Sequence, residues 1–149
     1  MATKPGNLAN DSVNQGEPLG LAQGAVMAGD AAFCVEMNAT VALNPGDTVL
    51  QDLVTGFLQV TKTGAADSTS RFGIAVTGAA IGAKVWIAII GFAQTVADAA
   101  IAAGAAIANA ATAGRAKTAA AAGGRTNLGW AVTAAAGAAS VFLAWMDKS

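Results

Sequence analysis

Few side chains in this sequence could carry out catalysis, and histidine, the most common general acid or base, is absent. The 149 residues include no histidine and no tyrosine, which excludes Ser-His-Asp and Cys-His nucleophilic systems and histidine-based proton transfer. The one cysteine, Cys34, lies among Ala32, Phe33 and Val35, and such apolar surroundings favour a small buried thiol over a reactive thiolate. We therefore expect Cys34 to be structural.

The carboxylates could in principle act without histidine, since pairs of carboxylates hydrolyse glycosides. Most of them, however, fall in segments with the composition of turns or of an extended arm, where turn chemistry accounts for them. The sequence contains no DxDxDG run of the kind that binds calcium and no glycine-rich phosphate loop. We expect no enzymatic activity, no cofactor and no metal. The acids in turn-like or arm-like segments are Asp11, Glu17, Asp30, Asp47 and Asp67.

The composition indicates a protein whose surface is largely covered by partners. Apolar residues make up 54% of the chain and charged residues 11%, against a usual charged share of about 25%. The net charge of −1 gives no strong field toward nucleic acid or an anionic membrane. The basic residues Arg115, Lys117 and Arg125 lack neighbouring aromatics, which favours a solvated loop over a nucleic-acid site. We expect protein partners, and no nucleic acid, membrane or small-molecule substrate.

An internal duplication organises the second half of the sequence. RFGIAVTGAAIGAKVWIAII (Arg71–Ile90) aligns with NLGWAVTAAAGAASVFLAWM (Asn127–Met146) at an offset of 56 residues. In this alignment Trp86 falls on Phe142. Such repeats have to be found first, because missing one changes the predicted fold.

A weaker match continues upstream at an offset of 58 residues. It places NPGD, residues 44–47, on AAGA, residues 102–105, and Gln59 on Lys117. The change of offset predicts a loop two residues shorter in the second copy, between Thr118 and Asn127. The two related units therefore span about residues 44–90 and 102–146.

The duplication also decides between helix and strand for residues 96–122. Read alone, this alanine-rich segment is typical of a helix. Its counterpart in the first copy contains a Pro-Gly turn, and Gly104, Gly114, Gly123 and Gly124 interrupt any helix. We therefore predict strands, and an all-β fold that is either a small barrel or a sandwich.

Alternation along the repeated strands predicts which side chains fill the core. Leu128, Trp130 and Val132 share one face of a strand, with small residues opposite. The closing strands, residues 85–90 and 141–146, are apolar on both sides, which is typical of a strand buried on both sides. One side is the core, and the other is either a subunit interface or the underside of a loop. The predicted core or subunit anchors are Trp86, Ile90, Trp130, Phe142, Trp145 and Met146.

The chain before the repeats divides into a polar arm and a first strand. Residues 1–24 are polar and hold two prolines and several glycines, so we predict an extended arm that orders on a partner. The β domain then spans residues 25–149. An uncharged run, Asn127–Met146, has the length of a membrane-spanning helix, but alanines, glycines and the repeat argue against that reading. The arm residues expected to contact a partner are Lys4, Pro5, Leu8 and Asn14.

The repeated pattern resembles the bacteriophage head decoration proteins, also called capsid cement proteins. The similarity lies in an apolar strand, an Ala-Gly or Pro-Gly turn, a second glycine turn at Gly56 and Gly114, a G-x-A-V strand at 73–76 and 129–132, and a closing apolar strand. It covers roughly residues 25–146.

The resemblance implies a homotrimer on the exterior of an icosahedral shell, bound to the major capsid protein and made in the host cytoplasm. It implies no catalytic residues. Two alternatives remain open on the sequence: a virion fibre or tail component, and a cell-surface binding β-module.

Overall fold

The described part of the chain consists of strands joined by turns. The computed structural model describes residues 26–27, 30–62, 71–120 and 127–147, and none of these residues is helical. The all-β prediction is therefore confirmed. The strands are β1 (Val26–Met27), β2 (Asp30–Ala39), β3 (Thr48–Gln51), β4 (Gln59–Lys62), β5 (Arg71–Ala75), β6 (Lys84–Val96), β7 (Ala106–Asn109), β8 (Ala116–Thr118), β9 (Asn127–Ala131) and β10 (Val141–Met146).

All ten strands belong to one hydrogen-bonded sheet. Its order is β1-β2-β4-β3-β5-β6-β10-β9-β7-β8, and β2 pairs additionally with β6. The β2–β4 pairing is parallel, whereas the other ladders are antiparallel. Because β2 contacts both β4 and β6, the pairings of β2, β4, β3, β5 and β6 close a circuit.

Strand β6 is shared between the two halves of this sheet. One of its edges pairs with β2 over Lys84–Phe92. The other edge pairs first with β5, at Ile87 and Ala88, and then with β10 over Gly91–Val96. A thirteen-residue strand therefore carries both units.

The second unit repeats the hydrogen bonds of the first. Strands β4-β3-β5-β6 and β8-β7-β9-β10 follow the same order. The bridge between Leu43 and Ala79 recurs between Ile101 and Ala135. These pairs differ by 58 residues at the first position and 56 at the second, as the sequence repeat does.

The predicted site of the two-residue deletion is wrong. Gln51 pairs with Val60 in the first unit, and Asn109 pairs with Ala116 in the second. The offset therefore changes from 58 to 56 inside the β3–β4 and β7–β8 turns, not after Thr118. A short turn can lose residues without disturbing the strands that it joins.

The closing strands also differ from the sequence alignment by one residue. Ala75 pairs with Ile87, and its equivalent Ala131 pairs with Ala144, so the offset in β10 is 57 and not 56. The extra residue lies in the β9–β10 turn. There Ala139 has φ +67°, at the place where the first unit has Gly82 with φ +81°.

The alanine-rich segment forms strands because its small side chains are packed in the interior. Ala108, Ala110 and Ala116 are buried, and glycines with positive φ turn the chain at residues 104 and 114. The segment Asn127–Met146 is likewise divided between β9 and β10. No helix long and apolar enough to cross a membrane occurs in the described ranges.

Two apolar clusters form the interior. One belongs to the first unit and includes Val49, Val60 and Ile87. The other is centred on Phe142 and Met146 of the second unit. The predicted arm, residues 1–24, lies outside the described residues.

Candidate interaction surface

The side chains that could do chemistry have structural partners instead. Cys34 is buried, and its thiol donates a weak hydrogen bond to the Ala32 carbonyl at 3.7 Å. The Asp47 carboxylate accepts the Asn44 N–H at 2.8 Å and pairs with Lys62 at 3.2 Å. No cluster of three or more potential metal-ligating side chains occurs among the described residues. The candidate functional site is therefore an exposed surface.

A row of large apolar side chains crosses four neighbouring strands on their solvent side. Phe92 of β6 lies opposite Trp145 of β10, which in turn lies opposite Trp130 of β9. The Phe92 and Trp145 rings meet edge to face, with centroids 4.7 Å apart and an interplanar angle of 64°. On the other side, Ile90 of β6 pairs with Phe33 of β2. We call Phe33, Ile90, Phe92, Trp130, Val141 and Trp145 the aromatic face; all six are exposed.

The aromatic face is large enough to be one side of a protein interface. Its four aromatic side chains are 37–54% exposed, which at roughly 200 Å² per ring leaves on the order of 350 Å² in water. With Ile90 and Val141 the apolar area is about 500 Å². A standard interface buries about 800 Å² per partner, of which somewhat more than half is apolar. The face therefore matches the apolar part of such an interface.

The six predicted anchors fall into two groups. Phe142 and Met146 are buried in the second-unit core, and Trp86 packs against the same cluster while partly exposed. Ile90, Trp130 and Trp145 lie instead on the aromatic face. The two sides of β10 thus have different surroundings: one side faces the core, and the other faces solvent.

The prediction that Trp130 and Val132 share the core face with Leu128 is wrong. Leu128 is buried, whereas Trp130 and Val132 are 39% and 42% exposed. The cause is a register shift: Ile107 pairs with Gly129, but Ala108 pairs with Asn127. Leu128 is the extra residue of this bulge, and the alternation reverses after it.

A second exposed apolar surface lies in the turn between β3 and β4, far from the aromatic face. We call residues 52–58 the apolar loop. Its end is joined to β2 by a hydrogen bond from the Asn38 N–H to the Leu58 carbonyl. Asn38 lies five residues after Phe33 on β2 and pairs with Lys84, eight residues before Phe92 on β6, so the two surfaces are roughly 17–26 Å apart along the strands. The exposed side chains of the loop are Leu53, Val54, Phe57 and Leu58.

The apolar loop is held in shape by its own polar groups. The Asp52 carboxylate accepts the N–H groups of Val54 and Thr55 at 3.1 and 3.2 Å. The Thr55 side-chain hydrogen bond is the main cause that lowers the pKa of Asp52; desolvation opposes it, and the two amide hydrogen bonds add to it. The Gln51 amide donates to the Phe57 carbonyl at 2.7 Å. A loop with this preorganisation presents its side chains at little entropic cost.

The sequence contained a signal for the apolar loop that composition alone did not reveal. DLVTGFL places four large apolar residues around a glycine turn, where the second unit has only alanine, threonine and glycine. The predicted arm contacts Lys4, Pro5, Leu8 and Asn14 lie outside the described residues, as does Arg125. Arg115 and Lys117 are half-buried at the β7–β8 turn.

The fold has a counterpart among solved protein structures. No protein-family model and no curated protein matches the chain. The fold is similar to the crystal structure of the head fiber gp8.5 N base in bacteriophage phi29, with a TM-score of 0.60 and 15% sequence identity. The match covers 78% of this chain and 94% of that chain. At this identity the similarity shows a shared fold.

Proposed function

We propose that this chain is a structural protein of a bacteriophage virion, with no enzymatic activity and no cofactor. The observation that carries the proposal is the fold: 94% of the head fiber gp8.5 N base is matched by this chain. The matched protein is a head fiber of bacteriophage phi29. The sequence pattern resembles head decoration proteins and independently supports a component of a phage head.

The finer proposal is a decoration role on the exterior of an icosahedral shell. In this role the chain assembles as a homotrimer, binds the major capsid protein and clamps neighbouring capsomers after synthesis in the host cytoplasm. The aromatic face supports self-association, because an exposed apolar patch of about 500 Å² is often an interaction site. The predicted arm, residues 1–24, is the proposed contact with the shell, since a segment that orders on binding can cover a large surface.

A fibre component is the second candidate, and it is favoured because the matched structure is the base of a phage head fiber. In that case the β domain forms the base that attaches a fibre to the head. Both candidates place the chain on a virion. They differ in whether it is spread over the shell or present only where fibres emerge.

Sedimentation with purified phage heads tests the proposal. We expect the full chain to co-sediment with heads, to be a trimer by light scattering, and to bind less after deletion of residues 1–24. Bovine serum albumin serves as a non-binding control. A monodisperse monomer that stays in the supernatant would contradict the proposal.

A reconstruction of the particle separates the two candidates. Density for this fold at all equivalent positions between capsomers supports the decoration role. Density confined to the bases of fibres supports the second candidate. Absence of the chain from purified particles contradicts both.

A further inference from the structure

In the first unit, a row of residues equivalent to part of the aromatic face is already covered. Cys34, Ala88 and Ile74 lie opposite one another on β2, β6 and β5. All three are buried, and they belong to the same apolar cluster as Phe142 and Met146 of the second unit. The second unit therefore packs over this row.

In the second unit the equivalent row stays partly exposed among the described residues. The strand pairings place Phe92, Trp145 and Trp130 at the positions of Cys34, Ala88 and Ile74, respectively. These three side chains are 37–39% exposed. The second unit thus presents to solvent, with larger side chains, the surface by which the first unit contacts its neighbour.

The turn before β3 shows the same contrast. In the first unit the Thr48 N–H donates to the Gly114 carbonyl at 3.0 Å, and the Thr48 hydroxyl donates to the Arg115 carbonyl at 3.1 Å. Gly46 of this turn is buried, with Val96 Cγ2 lying 3.2 Å from the place where a Cβ would be. The β7–β8 turn of the second unit covers Asp47 and Thr48 beside it, whereas Gly46 itself packs against Thr95 and Val96 of β6.

The equivalent turn of the second unit is open. Gly104 corresponds to Gly46, since both N–H groups donate to the equivalent carbonyls of Ala131 and Ala75 at 2.7 Å. Gly104 is exposed, and no atom lies within 4 Å of the place where its Cβ would be. Ala106, two residues on, pairs with Trp130, so this open turn borders the aromatic face.

The element that would cover the open turn exists in the first unit. The β7–β8 turn of the second unit corresponds to the β3–β4 turn of the first, which is the apolar loop. This loop is two residues longer than its counterpart, and Val54 at its tip is 97% exposed. The chain therefore has an unused covering element at one end and an uncovered surface at the other.

We propose that copies of this chain associate head to tail and repeat, between subunits, the contact that the β7–β8 turn makes with the turn before β3 within one chain. The apolar loop of one copy lies over the Gly104 turn and the adjoining aromatic face of the next. Both surfaces are apolar, and the large side chains that the loop exposes, Leu53, Val54, Phe57 and Leu58, carry no charge. Contacts between two different surfaces close into rings when the rotation allows. The inference rests on the proposed homo-oligomer and specifies how it is built.

Complementation between two variants tests this arrangement. The loop variant carries Val54→Glu and Phe57→Glu, and the face variant carries Trp130→Glu. Each places charge in the proposed contact, so we expect each to raise the dissociation constant roughly 30-fold or more in sedimentation equilibrium. Ile81→Glu is the matched control, because Ile81 is an equally exposed apolar residue outside the proposed contact, and we expect no change in association.

Mixing the variants gives the decisive result. The loop variant keeps an intact face and the face variant an intact loop, so an equimolar mixture should form a one-to-one dimer and stop there. A loop variant that still associates fully, or a mixture that stays monomeric, overturns the head-to-tail contact. Circular dichroism verifies folding, and Val132→Glu, at an exposed residue just after β9, replaces Trp130→Glu if the latter does not fold.

The outcome is separable from that of the proposed function. A trimer that binds phage heads and is indifferent to the loop variant contradicts only the head-to-tail contact. Variants that complement in a chain that ignores phage heads contradict only the virion role. A monomeric parent chain overturns the contact and the proposed trimer together.

Discussion

Replacing Gly129 with alanine should destabilise the protein substantially, because β9 and β10 approach each other closely at this residue. A Cβ at Gly129 would overlap the Trp145 carbonyl oxygen and lie 2.8 Å from the Met146 Cα. Real Cβ atoms essentially never come within 3.0 Å of such an atom, so the β10 backbone would have to move by about an ångström or more. Backbone cannot rotate away as a side chain can, and overpacking of this kind costs about 2–3 kcal/mol.

The assay is thermal unfolding at one fixed protein concentration, since association also changes Tm. At about 2–4 °C per kcal/mol for a chain of this size, we expect Gly129→Ala to lower Tm by roughly 5–10 °C. Gly137→Ala is the control, because a Cβ there has no atom within 4 Å, and its effect should stay within about 0.5 kcal/mol. Equal Tm values for the two variants would refute the close approach of β9 and β10.

Three further predictions follow from equivalent or contrasting positions. Ala139→Gly should stabilise the protein by about 0.5–1 kcal/mol, because relief of the positive φ outweighs the added freedom of the unfolded chain. Gly82→Ala should have the opposite effect, and changes in the free energy of urea unfolding that have the same sign for both variants would contradict this. Asp47→Ala should lower the free energy of unfolding by about 1–2 kcal/mol through loss of a buried hydrogen bond and ion pair. Glu36→Ala removes an exposed ion pair with lysine and should lower it by less than about 0.5 kcal/mol. Similar urea midpoints for the two variants would contradict this difference. The folded-state pKa of Asp52 is lowered. The hydrogen bonds from the loop amides to its carboxylate are therefore fully formed above the ordinary aspartate pKa and are lost as the pH falls through the lower folded-state value. Constant NMR shifts of those amides down to pH 2 would contradict this.

The repeat made the fold class predictable, although composition pointed elsewhere. An alanine-rich stretch favours a helix by propensity, but its counterpart with a Pro-Gly turn excluded one. Positions inside turns were not predictable in the same way. The deletion lies in the β7–β8 turn, and an insertion lies before Val141. Both segments are rich in alanine, so a sequence alignment has no distinctive residues that would locate either change.

The candidate surface was predictable only in part, because burial depends on the register between strands. The apolar residues on both sides of β10 predicted that one side packs in the core and the other contacts a partner or a loop. The structure places Phe142 and Met146 in the core and Trp145 on the surface. A bulge at Leu128 reversed the expected direction of Trp130. The glycine after Leu128 was the local signal of that bulge, since glycine inside a strand often marks one, and Gly73 stands at the same register shift in the first unit.

Strand β6 has a mechanical consequence for a protein under load. It forms eight residue pairs with β2 on one edge and six with β10 on the other. Tension between β2 and β10 along the strand direction passes through β6 and acts on the hydrogen bonds of each ladder together, rather than opening them one after another. Rupture then requires many bonds to fail at once, so the two units resist shear as a single body.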